Sequence, residues 1–122
     1  MYLYIFIIIH YNDTGGEWIY LGQAGSSSAT ISSIYGRGNI SGIFAIFINS
    51  NGTVLDYKID NDIGAMSILD DQFTTDSGEA CVYLIYGTNN YAAVWMRETS
   101  IIANTYSPSG PCTVKVYIKP KT

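Results

Sequence analysis

The chain has 122 residues, of which 48% are apolar and 13% charged, with six basic and ten acidic side chains for a formal net charge of −4. That length fits one domain, and a domain of this size buries roughly two-thirds of its unfolded surface, so a single core is expected. The acidic balance, with a pI near 4.6, argues against a nucleic-acid partner, which would need a basic face; eleven Tyr against three Pro exclude a disordered chain.

Met1 to Ile9 are all apolar or aromatic. No Lys or Arg precedes Arg37, and polar His10-Tyr11-Asn12-Asp13 follows at once. The segment therefore lacks the basic region and small-residue cleavage site of a secretory signal. It is also shorter than the ~20 apolar residues a membrane-spanning helix needs, so no membrane insertion is expected. Its β-branched and aromatic content predicts a strand buried on both faces.

Strand patterns separated by turn signals continue to the end of the chain. Thr14-Gly15-Gly16 is a turn, and Glu17 to Leu21 reads as a strand. Gly22 to Ser33 is small and polar, with a short strand around Ala29 to Ile34, and Tyr35-Gly36-Arg37-Gly38-Asn39 is a loop. Gly42 to Ile48 is a strongly apolar strand, joined through the hairpin turn Asn49-Ser50-Asn51-Gly52 to a strand over Thr53 to Ile59. Asp60 to Gly78 reads mostly as loop, with an ordered piece near Ala65 to Leu69. Glu79 to Tyr86 and Tyr91 to Ile101 are strands joined by Gly87-Thr88-Asn89-Asn90; a loop at Ser107 to Pro111 precedes the last strand, Cys112 to Ile118. No stretch holds a sustained helical period. The expectation is one all-β domain over residues 1–122, an antiparallel β-sandwich or jelly roll of about 7–9 short strands.

Two strands alternate as a half-buried strand should. Val54, Asp56 and Lys58 oppose Leu55, Tyr57 and Ile59; Cys112, Val114, Val116 and Ile118 oppose Thr113, Lys115, Tyr117 and Lys119. Tyr2 to Ile9, Ile43 to Ile48 and Val82 to Tyr86 are instead apolar on both faces. A two-layer sandwich covers one face of each sheet and would leave the other as an exposed patch. Subunit contacts in a closed homo-oligomer are the expected cover, with Tyr2, Tyr4, Phe6, Ile8, Phe44, Ile46, Ile48 and Tyr83 at the interface and residues 1–11 used for assembly. The alternative is internal cover by long loops or by strands at a sheet crossing.

Catalytic chemistry is not visible. His10 is the one histidine, and no nucleophile, metalloprotease, phosphate-loop or dinucleotide motif is present. The acids Asp56, Asp60, Asp62, Asp70, Asp71, Asp76 and Glu79 show no spacing that singles out a glycosidase pair, so solvated loop carboxylates are expected. Asp60-Asn61-Asp62-Ile63-Gly64 approaches a calcium loop, but its glycine comes one residue early; a Ca²⁺ site assembled from several loops stays an alternative. No cofactor or metal is expected, and the chain reads as a non-enzyme. Cys81 and Cys112 lie in separate strand patterns, where either a disulfide or two small buried thiols would fit. Three glycosylation sequons, at Asn12, Asn39 and Asn51, are unremarkable in a chain this rich in Asn, Ser and Thr.

Aromatics supply the functional hint. Trp18, Tyr35, Tyr91, Trp95 and Tyr106 fall at or near loop ends, where sugar C–H faces stack on rings while neighbouring amides and hydroxyls fix the sugar hydroxyls. Tyr35, Tyr91, Trp95, Tyr106, Asn89 and Asn90 are the candidate ligand-binding residues. For each ring alone core packing competes, and for Trp95 it is the favoured reading.

The order of motifs carries a resemblance. Glu17-Trp18-Ile19-Tyr20-Leu21-Gly22 precedes a Ser/Thr-rich stretch and the strand Ile43-Phe44-Ala45-Ile46-Phe47-Ile48. Val82-Tyr83-Leu84-Ile85-Tyr86-Gly87 then leads through Thr88-Asn89-Asn90 into Tyr91-Ala92-Ala93-Val94, and the chain closes on Val114-Lys115-Val116-Tyr117. Over about Glu17 to Lys119 this is similar to the C-terminal head domains of bacteriophage tail fibres and related virion appendages. The resemblance implies a β-sandwich head, usually a homotrimer, at the virion surface and binding a host-surface saccharide or protein. Fibre heads usually follow a stalk, whereas here an apolar strand opens at Met1; a capsid-decoration protein whose first strand docks on another subunit would share that feature. A free-standing extracellular carbohydrate-binding module or lectin, and a filament or coat subunit assembled through residues 1–11, are the alternatives.

Overall fold

The structure is a computed structural model that describes residues 18–60, 72–74 and 80–121. Nine strands run through the described residues: β1 (Ile19–Ala24), β2 (Ala29–Ser32), β3 (Ile40–Asn49), β4 (Val54–Asp60), β5 (Gln72–Thr74), β6 (Ala80–Tyr86), β7 (Asn90–Met96), β8 (Ile101–Tyr106) and β9 (Cys112–Pro120). They form a four-stranded sheet in the order β1-β9-β3-β4 and a five-stranded sheet in the order β2-β8-β7-β6-β5. Every pairing is antiparallel. The sheets pack against each other over one shared core, as an all-β sandwich requires.

Alternation along the strands builds that core. β3 contributes Ile43, Ala45 and Phe47, and β9 contributes Val114, Val116 and Ile118. From the opposing sheet come Val82 and Leu84 of β6, Ala92, Val94 and Met96 of β7, and Ile101 and Ala103 of β8. None of these is more than 4% exposed. Full burial of a Val, Leu, Ile, Phe or Met side chain is worth about 1.5–3 kcal/mol, so this layer supplies most of the driving force for folding.

β3 is buried on both faces, as its unbroken apolar run predicts. Its outward residues Phe44 and Ile46 are 0% and 1% exposed and form a second cluster with Trp18, Ile48, Val54, Ile59 and Tyr117. The Phe44 ring lies 6.2 Å from Trp18, 6.1 Å from Tyr57 and 5.7 Å from Tyr117, centre to centre. Lys119, on the same face, is 5% exposed and holds its ammonium 5.0 Å from the Trp18 ring centre, a cation–π contact. The expected alternation in β9 thus holds, but Lys119 lies under this cluster instead of in water.

Three readings of the sequence need correction. A register shift between Phe47 and Ile48 leaves Leu55 as the extra residue of a bulge in β4. It places Val54 with Ile59 in the outer cluster and turns Leu55 to the core, so the regular alternation expected for this strand fails at its start. Tyr91 to Ile101 is not one strand: Arg97 to Ser100 turns the chain between β7 and β8. Finally, β5 lies in a segment that reads as loop; three residues are too few for a periodic signal. The predicted strand at residues 1–11 and the ordered piece at Ala65 to Leu69 lie outside the described residues.

The unforeseen turn contains neither Gly nor Pro, and a second loop holds it. The Arg97 N–H donates to Ser100 O at 2.9 Å, while the N–H groups of Arg37 and Gly38 donate to the carbonyls of Arg97 and Glu98 at 2.9 and 3.0 Å. Asn39 braces the docking loop, accepting from the Gly36 N–H and donating to Ile34 O. A Cβ on Gly36 would sit 2.3 Å from Arg97 O and 2.6 Å from Glu98 O. Gly36→Ala is therefore expected to lose about 2 kcal/mol in urea unfolding, within the usual range for overpacking. Gly25→Ala, whose Cβ would meet only Cys112 O at 4.0 Å, should stay within about 0.5 kcal/mol of the parent.

The Asp56 carboxylate joins the sheets along the β4 and β6 edges. β5 pairs with β6 only from Ala80 to Val82, and farther along β6 the Ile85 N–H donates to Asp56 Oδ2 at 2.9 Å. Asp56 Oδ1 accepts from the Tyr57 N–H at 2.9 Å, and Lys58 Nζ lies 3.7 Å from Oδ2. Asp56→Ala should cost about 1.5 kcal/mol of stability, the lower end for a hydrogen bond to a charged group. Amide exchange should accelerate at Ile85 and not at Leu84.

Candidate functional site

The outer face of the five-stranded sheet is built from β6, β7 and β8. Ile85 sits opposite Tyr91, and Tyr91 opposite Tyr106; Tyr83 sits opposite Ala93, and Ala93 opposite Asn104. Cys81, Trp95 and Ile102 make the next row. Successive residues point to opposite faces, so these side chains share one surface while Val82, Leu84, Ala92 and Val94 fill the core. Ala93 carries almost no bulk, and Tyr83 leans across to Tyr91. The Tyr83 and Tyr91 rings stack with centres 5.2 Å apart and planes 27° apart. Tyr91 and Tyr106 lie 5.4 Å apart with planes at 33°. Three rings thus form a ladder across three strands, in the offset geometry that ring quadrupoles favour.

This ladder is open to solvent at its Tyr106 end. Tyr106 is 52% exposed and Ile85, opposite Tyr91, 55%; Tyr83 and Tyr91 are half-buried. Desolvation raises the Tyr83 phenol above its usual pKa of 10.0, with smaller contributions from Tyr91 and Cys81. The Tyr83 hydroxyl therefore stays neutral over the physiological range. In the same row, across Ala93, Asn104 donates from Nδ2 to Ser28 Oγ at 3.4 Å, while its Oδ1 is buried without a partner among the described residues.

The candidate residues separate into distinct places. Tyr91 and Tyr106 come together in the ladder. Trp95 shares their face, half-buried between Cys81 and Ile102, so its expected core placement is not what the structure shows: its register position turns it outward. Asn90 lies on the opposite side of the strand end, accepting at Oδ1 from Ser109 Oγ at 3.2 Å, and Asn89 is exposed in the β6–β7 hairpin. Tyr35 packs against the core in the loop held at the other end of β7. Tyr83, expected at a subunit interface, joins the ladder, and Ile85, opposite Tyr91, borders it; Tyr86 pairs with Asn90 and faces the other way. Cross-strand register decides this grouping, and no local signal in the sequence encodes that register.

Of the remaining interface positions, Tyr2, Tyr4, Phe6 and Ile8 lie outside the described residues. A single chain already buries Phe44 and Ile46, so neither needs a second subunit to cover it. Ile48 is half-buried. Cys81 and Cys112 are free thiols, the first buried and the second half-buried. Among the described residues no group of three or more His, Cys, Asp or Glu is placed to hold a metal, and no helix is long and apolar enough to cross a membrane. Asp60 ends β4; residues 61–71 and 75–79, with the rest of the calcium-loop-like segment and the acids Asp62, Asp70, Asp71, Asp76 and Glu79, lie outside the described residues, as does His10.

No family model, curated protein or solved structure matches the chain.

The Tyr83 environment has a pH signature. A phenol with a raised folded-state pKa keeps its proton above pH 10 while the unfolded chain loses it, so its stabilising contribution is complete below pH 10 and falls as pH rises through the folded value. Tyrosinate absorbance at 295 nm should show a late-titrating component in the folded protein that is lost in Tyr83→Phe.

Proposed function

We propose that the domain is a non-enzymatic recognition module of the virion-appendage type, fibre head or decoration protein, which self-associates and binds a host-surface saccharide on the tyrosine ladder. The observation that carries this reading is the row of stacked rings Tyr83, Tyr91 and Tyr106, half-buried at the first two and exposed at Tyr106. Each open ring surface offers a platform for sugar C–H groups, and the phenols offer neutral donors and acceptors for sugar hydroxyls. The rings already brace one another, so binding would immobilise little that is free, which favours affinity. Ile85 extends the same exposed apolar patch, of the kind that marks ligand or partner surfaces.

The topology supports the finer jelly-roll reading in part. β9 lies between β1 and β3, β8 lies beside β2, and the chain changes sheets between β1 and β2 and between β8 and β9. The hairpin from β3 to β4 stays within one sheet and departs from that plan. In the fibre-head reading the domain is a homotrimer exposed at the virion surface. A free-standing carbohydrate-binding module would use the same ladder without the trimer.

Light scattering coupled to size exclusion should give a stable mass of about three times 13.4 kDa. On a panel of immobilised host-surface glycans, Tyr106→Ala should keep that mass and the parent melting temperature while binding about tenfold more weakly, a change of about 1.4 kcal/mol. A monomer that binds glycans with the same dependence on Tyr106 would favour the free-standing module. Failure of the parent protein to retain any glycan would overturn the saccharide reading.

A further inference from the structure

Around the rim of the sheet from the ladder, a cleft of about 280 Å³ opens at the end of the sandwich, lined by the β3–β4 turn, the end of the β6–β7 hairpin and the β8–β9 loop. Its size is near the lower end for small-molecule sites, room for one sugar ring and not for an oligosaccharide. No charged side chain lines it among the described residues. Tyr86, 50% exposed, supplies an aromatic wall, with Leu55 and Pro111 as further apolar lining.

The polar lining is amide and hydroxyl, and much of its capacity is uncommitted. Asn49 Oδ1 accepts from the N–H groups of Asn51 and Thr53, and Asn90 Oδ1 accepts from Ser109. Both acceptors are thus engaged inside the protein, which fixes the two amides while their Nδ2 groups keep no partner among the described residues. The Ser50 and Tyr86 hydroxyls are likewise uncommitted. Fixed amide donors, hydroxyls and one aromatic wall without a charge suit a neutral polyol ring; an anionic sugar or a cation would find no compensating charge.

We infer that this cleft is a second subsite, which takes a single uncharged hexose or N-acetylhexosamine residue of the glycan whose neighbouring residues lie on the tyrosine ladder. The inference rests on the saccharide reading of the ladder. It is tested on the full chain by ¹H–¹⁵N correlation spectra titrated with glucose, galactose, N-acetylglucosamine and, as the anionic comparison, N-acetylneuraminic acid. At least one neutral sugar should shift the side-chain amide signals of Asn49 and Asn90, and N-acetylneuraminic acid should not. Asn90→Asp, which keeps the acceptor for Ser109 but removes the donors and adds a charge, should weaken this binding at least tenfold. Tyr86→Ala should do the same, and Tyr106→Ala should leave it unchanged. Shifts confined to residues around Tyr91 and Tyr106 would overturn the cleft subsite and leave the ladder standing. Preferential binding of N-acetylneuraminic acid in the cleft would overturn the neutral-sugar assignment. No shift with any sugar, together with no glycan retention by the parent protein, would overturn the inference along with the reading it rests on.

Discussion

Between β9 and β4, the side chains of Ile43, Ala45 and Phe47 point into the sandwich while Phe44 and Ile46 are buried on its other side. A central strand apolar on both faces must be covered twice, because leaving residues of this size in water forfeits their transfer free energy. The covering cluster of Trp18, Tyr57 and Tyr117 therefore occupies the middle of the four-stranded sheet's outer face, and even Lys119 is drawn beneath it over the Trp18 ring. That face has lost its centre as a recognition surface. In the five-stranded sheet the central strand β7 places small Ala93 among its outward residues, which leaves room for Tyr83 and Tyr91 to lie side by side.

The two ends of β7 divide the remaining tasks. At its last residue the turn into β8 is held from outside by the loop carrying Gly36, whose missing side chain lets backbone carbonyls approach. At its first residue the chain folds into a hairpin with Gly87 at a φ of 71°, a conformation that suits glycine. Ladder and cleft both lie at this second end, on the two sides of the same strand: Tyr91 faces one way and Asn90 the other. Asp56 closes the edge nearby by reaching from one sheet to the Ile85 N–H of the other. The surface proposed for recognition thus rests on a frame bonded on several sides.

Much of this was legible in the residues. The strand over Gly42 to Ile48, its double burial, the turn at Asn49 to Gly52 and the inward set of β9 follow from periodicity and turn chemistry alone. The break at Arg97 to Ser100 was not, because its cause is a loop some sixty residues earlier in the chain. Nor was the bulge at Leu55, which depends on the partner strand. The aromatic character of the site was visible in Tyr91 and Tyr106, but Tyr83 read as interface and Trp95 as core. Membership of a cross-strand ladder is a property of register, and register is fixed by the whole sheet rather than by any local pattern.

The outer face of the four-stranded sheet is closed at its centre, and that of the five-stranded sheet is open at its Tyr106 end. Hydroxyl-radical footprinting of the folded protein, read residue by residue by mass spectrometry, tests both halves in one experiment. Phe44 should remain unmodified while Tyr106 oxidises readily. Rapid oxidation of Phe44, or protection of Tyr106 in the folded protein without ligand, would contradict this arrangement.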